Sequence, residues 1–139
     1  MVSAKILLVD DETDMLEMMA YALGADDHQI QTAVTGLDAL NKARRFLPDL
    51  IVLDLMLDGI DGFSVCEILR AQPSTNQVPV LVVTALGGQI ARLNAFSVGA
   101  DDFLSKPFSP QELLRRVRDI LATRAAQQLS DESSADGPA

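Results

Sequence analysis

The chain has a single cysteine, Cys66, and a single histidine, His28, among its 139 residues. Those two scarcities exclude a disulfide-stapled scaffold and a Cys/His zinc cluster. A Ser-His-Asp relay could draw only on His28, which reads as a solvated loop residue beside Asp26 and Asp27. Basic charge is scarce as well: 11 Lys and Arg stand against 20 Asp and Glu, for a formal net charge of −9. That balance speaks against direct binding of nucleic acid or an anionic membrane. No apolar run approaches the ~18 residues of a membrane span, and Met1 to Lys5 lacks the apolar stretch of a secretory leader. What is present is 48% hydrophobic and 22% charged residues, enough for the core of one domain and too much for wholesale disorder. The expectation is a small, acidic, soluble protein of the cytoplasm.

Short apolar runs alternate with segments of helical period. Ile6-Leu7-Leu8-Val9, Leu50-Ile51-Val52-Leu53 and Val80-Leu81-Val82-Val83 are continuous and branched, the pattern of strands covered on both faces. Weaker runs at 28–33 and 102–105 read as edge strands. Helices are expected near 13–23, 36–47, 62–71, 88–98 and 110–124. Ser109-Pro110-Gln111-Glu112 is a capping box with proline at the first helical position, and Thr35 followed by Asp38 is a weaker cap of the same kind. Gly24 and Gly99 stand where helix ends favour a residue without Cβ strain. Five βα units imply a (βα)5 doubly wound α/β sandwich built on a five-stranded parallel sheet. The segment 1–124 reads as this domain. Residues 125–139 read as a helix extension followed, from Ser130, by a disordered tail or linker stub.

In such a sheet, ligands sit beyond the carboxyl ends of the strands. Strand one ends in Asp10-Asp11-Glu12, strand three in Asp54 and strand four in Thr84, while strand five runs into Lys106-Pro107. Carboxylates, a hydroxyl and an amine should therefore meet in one pocket. Two carboxylates about 4 Å apart repel by roughly 1 kcal/mol in water and about 4 kcal/mol at an effective dielectric near 20. Such a cluster calls for a cation, and all-oxygen donors favour Mg²⁺, with Mn²⁺ second. A lysine and a hydroxyl aimed at the same spot suit a phosphoryl group, with Asp54 the best-placed nucleophile.

ILLVDDE, PDLIVLDLML, the Asp61-Gly62 pair, VVTA and GADDFLSKPF stand in order along the chain. Together they resemble the receiver domain of bacterial two-component response regulators, over residues 4–123. The resemblance implies the strand order 2-1-3-4-5. It implies that Asp54 accepts a phosphoryl group from a sensor histidine kinase or phosphotransfer protein. Asp10, Asp11, Asp54 and the main-chain carbonyl of Met56 would hold Mg²⁺. Thr84, the backbone at Ala85, and Lys106 would bind phosphoryl oxygens. Lys106-Pro107 would be cis, and Phe103 would be the switch aromatic that turns inward as Thr84 moves. Beyond its own phosphoryl transfer and slow self-dephosphorylation, such a domain is a regulator and not an enzyme.

Departures from the family pattern carry expectations of their own. Asp58 replaces a proline common at that position and adds charge near the metal, which should tighten Mg²⁺ binding. Met56 and Leu86 occupy the two positions that, as the resemblance implies, flank the path of attacking water. Both are bulky and apolar, so the phosphoaspartate should hydrolyse slowly. In regulators that drive winged-helix transcription factors, the face built from the helix at 88–98, the strand at 102–105 and the helix at 110–124 forms a homodimer. Arg92, Asp102, Glu112 and Arg116 fall where that subfamily places cross-dimer ion pairs. Against this, Glu112 already belongs to a capping box, and exposed ion pairs are individually weak.

Blander readings apply elsewhere. Met15, Met18 and Met19 read as helix packing and Cys66 as a small core hydrophobe. The arginines of the last helix face a net negative domain, which argues against nucleic-acid contact. A Mg²⁺-dependent aspartyl-phosphate phosphatase or phosphotransferase is a rival, but its acid–base aspartate would stand at Met56. A flavodoxin-like cofactor binder is disfavoured because Asp10-Asp11-Glu12 would repel a flavin phosphate. A phosphate-independent interaction scaffold is the third rival. No effector-domain pattern follows residue 124, so the chain reads as a stand-alone regulator or a fragment.

Overall fold

Continuous apolar runs become parallel strands because helices cover both faces of the sheet. The computed structural model, which describes residues 3–135, places β1 at Lys5–Val9, β2 at Gln29–Ala33, β3 at Leu50–Leu53, β4 at Val80–Thr84 and β5 at Asp102–Ser105. The helices are α1 (Thr13–Gly24), α2 (Gly36–Phe46), α3 (Gly62–Ala71), α4 (Gln89–Ser97) and α5 (Pro110–Ala135). All strand pairs are parallel, and the order is β2-β1-β3-β4-β5. This is the doubly wound α/β fold that the βα alternation implied.

Strand residues alternate between two cores. Leu7, Val9, Ile51, Leu53, Val80 and Val82 face the layer of α2, α3 and α4, where Ala39, Val65, Leu69 and Ala95 meet them. Ile6, Leu8, Leu50, Val52, Leu81 and Val83 face α1 and α5 through Leu16, Met19, Leu23, Leu113 and Val117. Full burial of each such aliphatic side chain contributes about 1.5–3 kcal/mol. Met19 is buried and Met15 and Met18 pack partly against the same core, as expected of helix packing. Cys66 is buried, and burial pushes its thiol pKa up.

Both expected N-cap hydrogen bonds form, although among the described residues the reciprocal Glu112 side-chain bond of the capping box does not. Thr35 Oγ1 accepts the Asp38 N–H at 3.1 Å, and Ser109 Oγ accepts the Glu112 N–H at 3.1 Å. Gly99 has φ +105, as a helix end requires, but Gly24 does not take the left-handed turn expected of it. Asp27 does, at φ 66. That turn brings His28 inward, so it is not the solvated loop residue expected. Its side chain is 4% exposed, its Nδ1 accepts the Ala4 N–H at 3.0 Å, and its Nε2 lies 3.7 Å from Asp26 Oδ2. The last helix continues past residue 124 to Ala135, since Ala125-Ala126-Gln127-Gln128-Leu129 are good helix formers and no glycine or proline interrupts them. Backbone expected to be disordered from Ser130 is therefore helical as far as Ala135, and residues 136–139 of that expectation lie outside the described residues.

Candidate functional site

Three residues at the carboxyl edge of the sheet are positioned by continuing its ladder one step past the strands. Asp10 N–H donates to Ala33 O at 3.1 Å, Asp54 N–H to Val9 O at 3.0 Å, and Lys106 N–H to Thr84 O at 2.9 Å. Their side chains converge. Lys106 Nζ lies 2.7 Å from Asp10 Oδ2 and 2.9 Å from Asp54 Oδ2, with Glu12 Oε1 at 3.8 Å. Asp10 and Asp54 are buried, and the Lys106 side chain is 8% exposed.

The remaining carboxylate oxygens are also engaged. Asp10 Oδ1 accepts the Glu12 N–H at 2.9 Å, and Asp54 Oδ1 accepts the Met56 N–H at 3.0 Å. Burial raises the pKa of Asp10, and the hydrogen bonds from Lys106 and Glu12 pull the other way without overcoming it. Burial alone would lower the pKa of Lys106. Its hydrogen bonds to Asp10 and Asp54 outweigh that and leave it above the ordinary 10.5.

A glycine makes room for the loop that carries Asp54. A Cβ on Gly62 would collide with the carbonyl of Asp54 and the Cα of Leu55, so α3 begins against the very backbone that carries Asp54. Asp61 caps that helix, its Oδ1 accepting the Ser64 N–H at 2.9 Å. Gly59, at φ +81, makes the turn before it, and Asp58 is exposed beside that glycine.

Asp11 is exposed and stands with Asp10 and Glu12 in a group whose ligand oxygens all lie within 4.8 Å of one another. These are hard oxygen donors of high negative charge, and they fit Mg²⁺ or Mn²⁺. Glu12 stands at the same strand end but was not in the metal set that the family resemblance implied. Its adjacency to Asp10 and Asp11 was the available signal.

Thr84 is buried at the end of β4, and its Oγ1 accepts the Leu86 N–H at 3.1 Å. Ala85 is exposed next to it. Phe103 is buried, packed in the core that contains Ala91 and Ala95 of α4. Lys106-Pro107 is cis. Met56 and Leu86 are 54% and 38% exposed at the rim.

Arg92, Asp102, Glu112 and Arg116 lie away from this pocket, on α4, β5 and α5. Asp102 and Arg116 are paired within the chain at 2.8 Å, and the Arg92 guanidinium stands 5.4 Å from the Phe96 ring centroid. Three arginines of α5 meet carboxylates: Arg116 meets Asp102, Arg118 meets Asp26 at 2.8 Å, and Arg124 meets Asp49 at 3.8 Å. No helix among the described residues is long and apolar enough to cross a membrane.

The chain is similar to known response regulators in sequence and in fold. The response regulator PleD of Caulobacter vibrioides is 42% identical over 118 residues, which cover 85% of this chain and 26% of PleD. The alkaline phosphatase synthesis transcriptional regulatory protein PhoP of Bacillus subtilis is 40% identical over 132 residues, covering 95% of this chain and 54% of PhoP. The chain thus spans about a quarter to a half of the length of these curated relatives. A crystal structure of a putative response regulator from Chloroflexus aurantiacus superposes with a TM-score of 0.82 at 39% identity, covering 87% of this chain and 99% of that one. The profile of the response regulator receiver domain matches residues 6–118, and the chain belongs to that family.

Proposed function

We propose that this chain is a phosphorylation-activated signalling switch with Asp54 as its phosphoacceptor. The observation that carries the reading is the Lys106 ammonium held between Asp10 and Asp54 at 2.7 and 2.9 Å. The donor would be a sensor histidine kinase or a phosphotransfer protein. An Asp54 carboxylate oxygen forms a P–O bond as the donor's P–N bond breaks, and the electron pair stays on the imidazole nitrogen. Lys106, Thr84 and the backbone N–H of Ala85 take up the phosphoryl oxygens. The lysine supplies the compensating positive charge at the point where negative charge gathers.

Asp10, Asp11, Asp54 and the Met56 carbonyl would hold Mg²⁺ or Mn²⁺, with Glu12 beside them. Such an ion, when bound, supplies charge neutralisation at the transferring phosphoryl group. The added phosphoryl carries about −1.5 to −2 charges, enough to draw the Thr84 hydroxyl away from the Leu86 N–H. Phe103, buried in the core that contains Ala91 and Ala95 of α4, is the aromatic that would respond. The change is read out on the face of α4, β5 and α5, where Arg92, Asp102, Glu112 and Arg116 would bridge two copies of the chain. In the resting chain Asp102 already holds Arg116, so dimerisation there requires that pair to be exchanged. Residues 1–124 form the switch, which works in the cytoplasm, and residues 125–135 extend α5.

The test is incubation with a small phosphodonor and Mg²⁺, followed by intact mass. A gain of about 80 Da in the wild type and none in Asp54→Asn is expected. An equal gain in both proteins would overturn the assignment.

A further inference from the structure

Arg70, near the end of α3, directs its guanidinium at two separate connections, the one between α3 and β4 and the one between α4 and β5. Its Nε and Nη2 donate to Gly99 O at 3.1 and 2.7 Å, and its Nη1 donates to Asn76 O at 3.2 Å and Val78 O at 2.6 Å. Nη2 also lies 3.0 Å from Asp101 Oδ2, an oxygen that accepts the Val80 N–H at 2.8 Å. The side chain is 23% exposed. Gly99 is shaped to this arginine: at φ +105, a Cβ there would stand 2.8 Å from Arg70 Cγ and Nε. The guanidinium offers five N–H donors in a rigid planar fork, whereas a lysine ammonium offers three from a single nitrogen.

The two ends of α4 are held unequally. At its carboxyl end, Val98 N–H donates to Asn94 O, Gly99 N–H to Phe96 O and Ala100 N–H to Ala95 O, and Asp101 N–H ties the turn to Val80 O at 2.8 Å. Arg70 fastens the same turn to α3. At its amino end stands Gly88 at φ +96, with no side-chain cap. A Cβ on Gly88 would meet nothing within 4 Å. Between its ends α4 buries only Ala91 and Ala95, the smallest of apolar contacts, while Ile90 and Leu93 are 77% and 66% exposed. The Gly87-Gly88 end follows directly on Leu86, whose N–H binds Thr84 Oγ1.

We propose that Arg70 is the fulcrum of α4: it latches the carboxyl end of the helix and the turn into β5 to α3, so that motion begun at Thr84 swings the Gly87-Gly88 end alone. Hinges of this kind absorb backbone change at a few terminal residues while the far end stays packed. The trigger rests on the reading of Asp54 as phosphoacceptor, whereas the latch is a property of the resting chain. Arg70 thereby acts as a positioning residue, remote from the reacting atoms.

Hydrogen exchange followed by mass spectrometry on the full chain tests both parts. Arg70→Lys and Arg70→Gln are expected to speed exchange of the amides at 96–101 by about tenfold, equivalent to ~1.4 kcal/mol of local stability, with phosphoryl uptake unchanged. In the wild type, a small phosphodonor with Mg²⁺ should speed exchange at 86–92 and leave 96–101 protected. In Arg70→Gln that response should spread to 96–101. Asp101→Asn, which keeps an oxygen for the Val80 N–H, should give a smaller rise at 96–101 and serves if the arginine variants do not fold. Unchanged exchange at 96–101 in the variants that fold overturns the latch, and so does an equal phosphodonor response at both ends of wild-type α4. Absence of any mass gain in the wild type would overturn the phosphoacceptor reading instead, and the resting-state comparison would still decide the latch.

Discussion

Lys106 Nζ lies 2.9 Å from Asp54 Oδ2, a buried ion pair between residues 52 positions apart in the chain. The same ammonium offsets Asp10, so deleting it leaves two buried carboxylates facing each other. Removing one partner of a buried pair costs about 3–5 kcal/mol. Lys106→Met should therefore lower the melting temperature, and Mg²⁺ should recover part of the loss in the variant. Because the folded pKa of Lys106 is raised above 10.5, its stabilising contribution is present below that pH and disappears as pH rises through the folded value. Thermal unfolding with and without Mg²⁺, from neutral to strongly alkaline pH, checks both statements.

Gly62→Ala is expected to destabilise the fold by at least ~2 kcal/mol, since the added methyl meets the Asp54 carbonyl and the Leu55 Cα, which cannot rotate away. Relief requires α3 to draw back, which moves the loop that carries Asp54. Phosphoryl uptake should slow in the same variant, measured beside its urea midpoint. A Gly24→Ala control, where a Cβ meets nothing within 4 Å and φ is not positive, should be neutral or slightly stabilising.

These contrasts show what was legible in the chain. Three apolar runs announced the inner strands, and topology then forced Asp10, Asp54 and Lys106 to one edge, because parallel strands all end on the same side. Single residues resisted reading where tertiary contacts decided them. His28 looked like a loop residue until Asp27 turned it onto the Ala4 N–H. Leu47 closes α2 at φ 51 with no glycine to signal the stop. Arg70 carried no motif, because most of its partners are backbone carbonyls, which every residue has. Glu12 was visible only as the third acid of a run, and its approach to Lys106 depends on the turn after β1.

A further prediction concerns acid. Arg118 donates from Nε and Nη2 to the two oxygens of Asp26 at 3.1 and 2.8 Å, and these bonds hold the Asp26 pKa below its ordinary 3.8. A depressed carboxyl pKa contributes stability above the unfolded value, and that stability is lost as pH falls through the folded one. Arg118→Gln should therefore be less stable than the wild type at pH 7, and the gap should close below pH 3.8, the ordinary value. Urea midpoints across that range give the answer, and a gap that persists in strong acid would assign the effect to packing by the arginine stem.

The lifetime of the phosphorylated form should be set by Met56 and Leu86. Each is anchored by its own backbone to a site residue: Met56 N–H to Asp54 Oδ1 at 3.0 Å, and Leu86 N–H to Thr84 Oγ1 at 3.1 Å. Their side chains therefore leave the rim from points fixed relative to the acceptor. At 54% and 38% exposure they can be made polar without opening the core. A thioether and an isobutyl group cannot orient a water molecule for attack on phosphorus, whereas an amide and a carboxylate can accept its hydrogens. The combined Met56→Asn and Leu86→Glu variant should lose its phosphoryl group at least ~10-fold faster than the wild type, because positioned polar groups contribute ~10²–10⁴-fold when alignment is good. Decay followed by intact mass after removal of the phosphodonor measures this, with the initial extent of phosphorylation as the control. An unchanged half-life at full initial labelling would show that water reaches the acyl phosphate by a route these side chains do not guard.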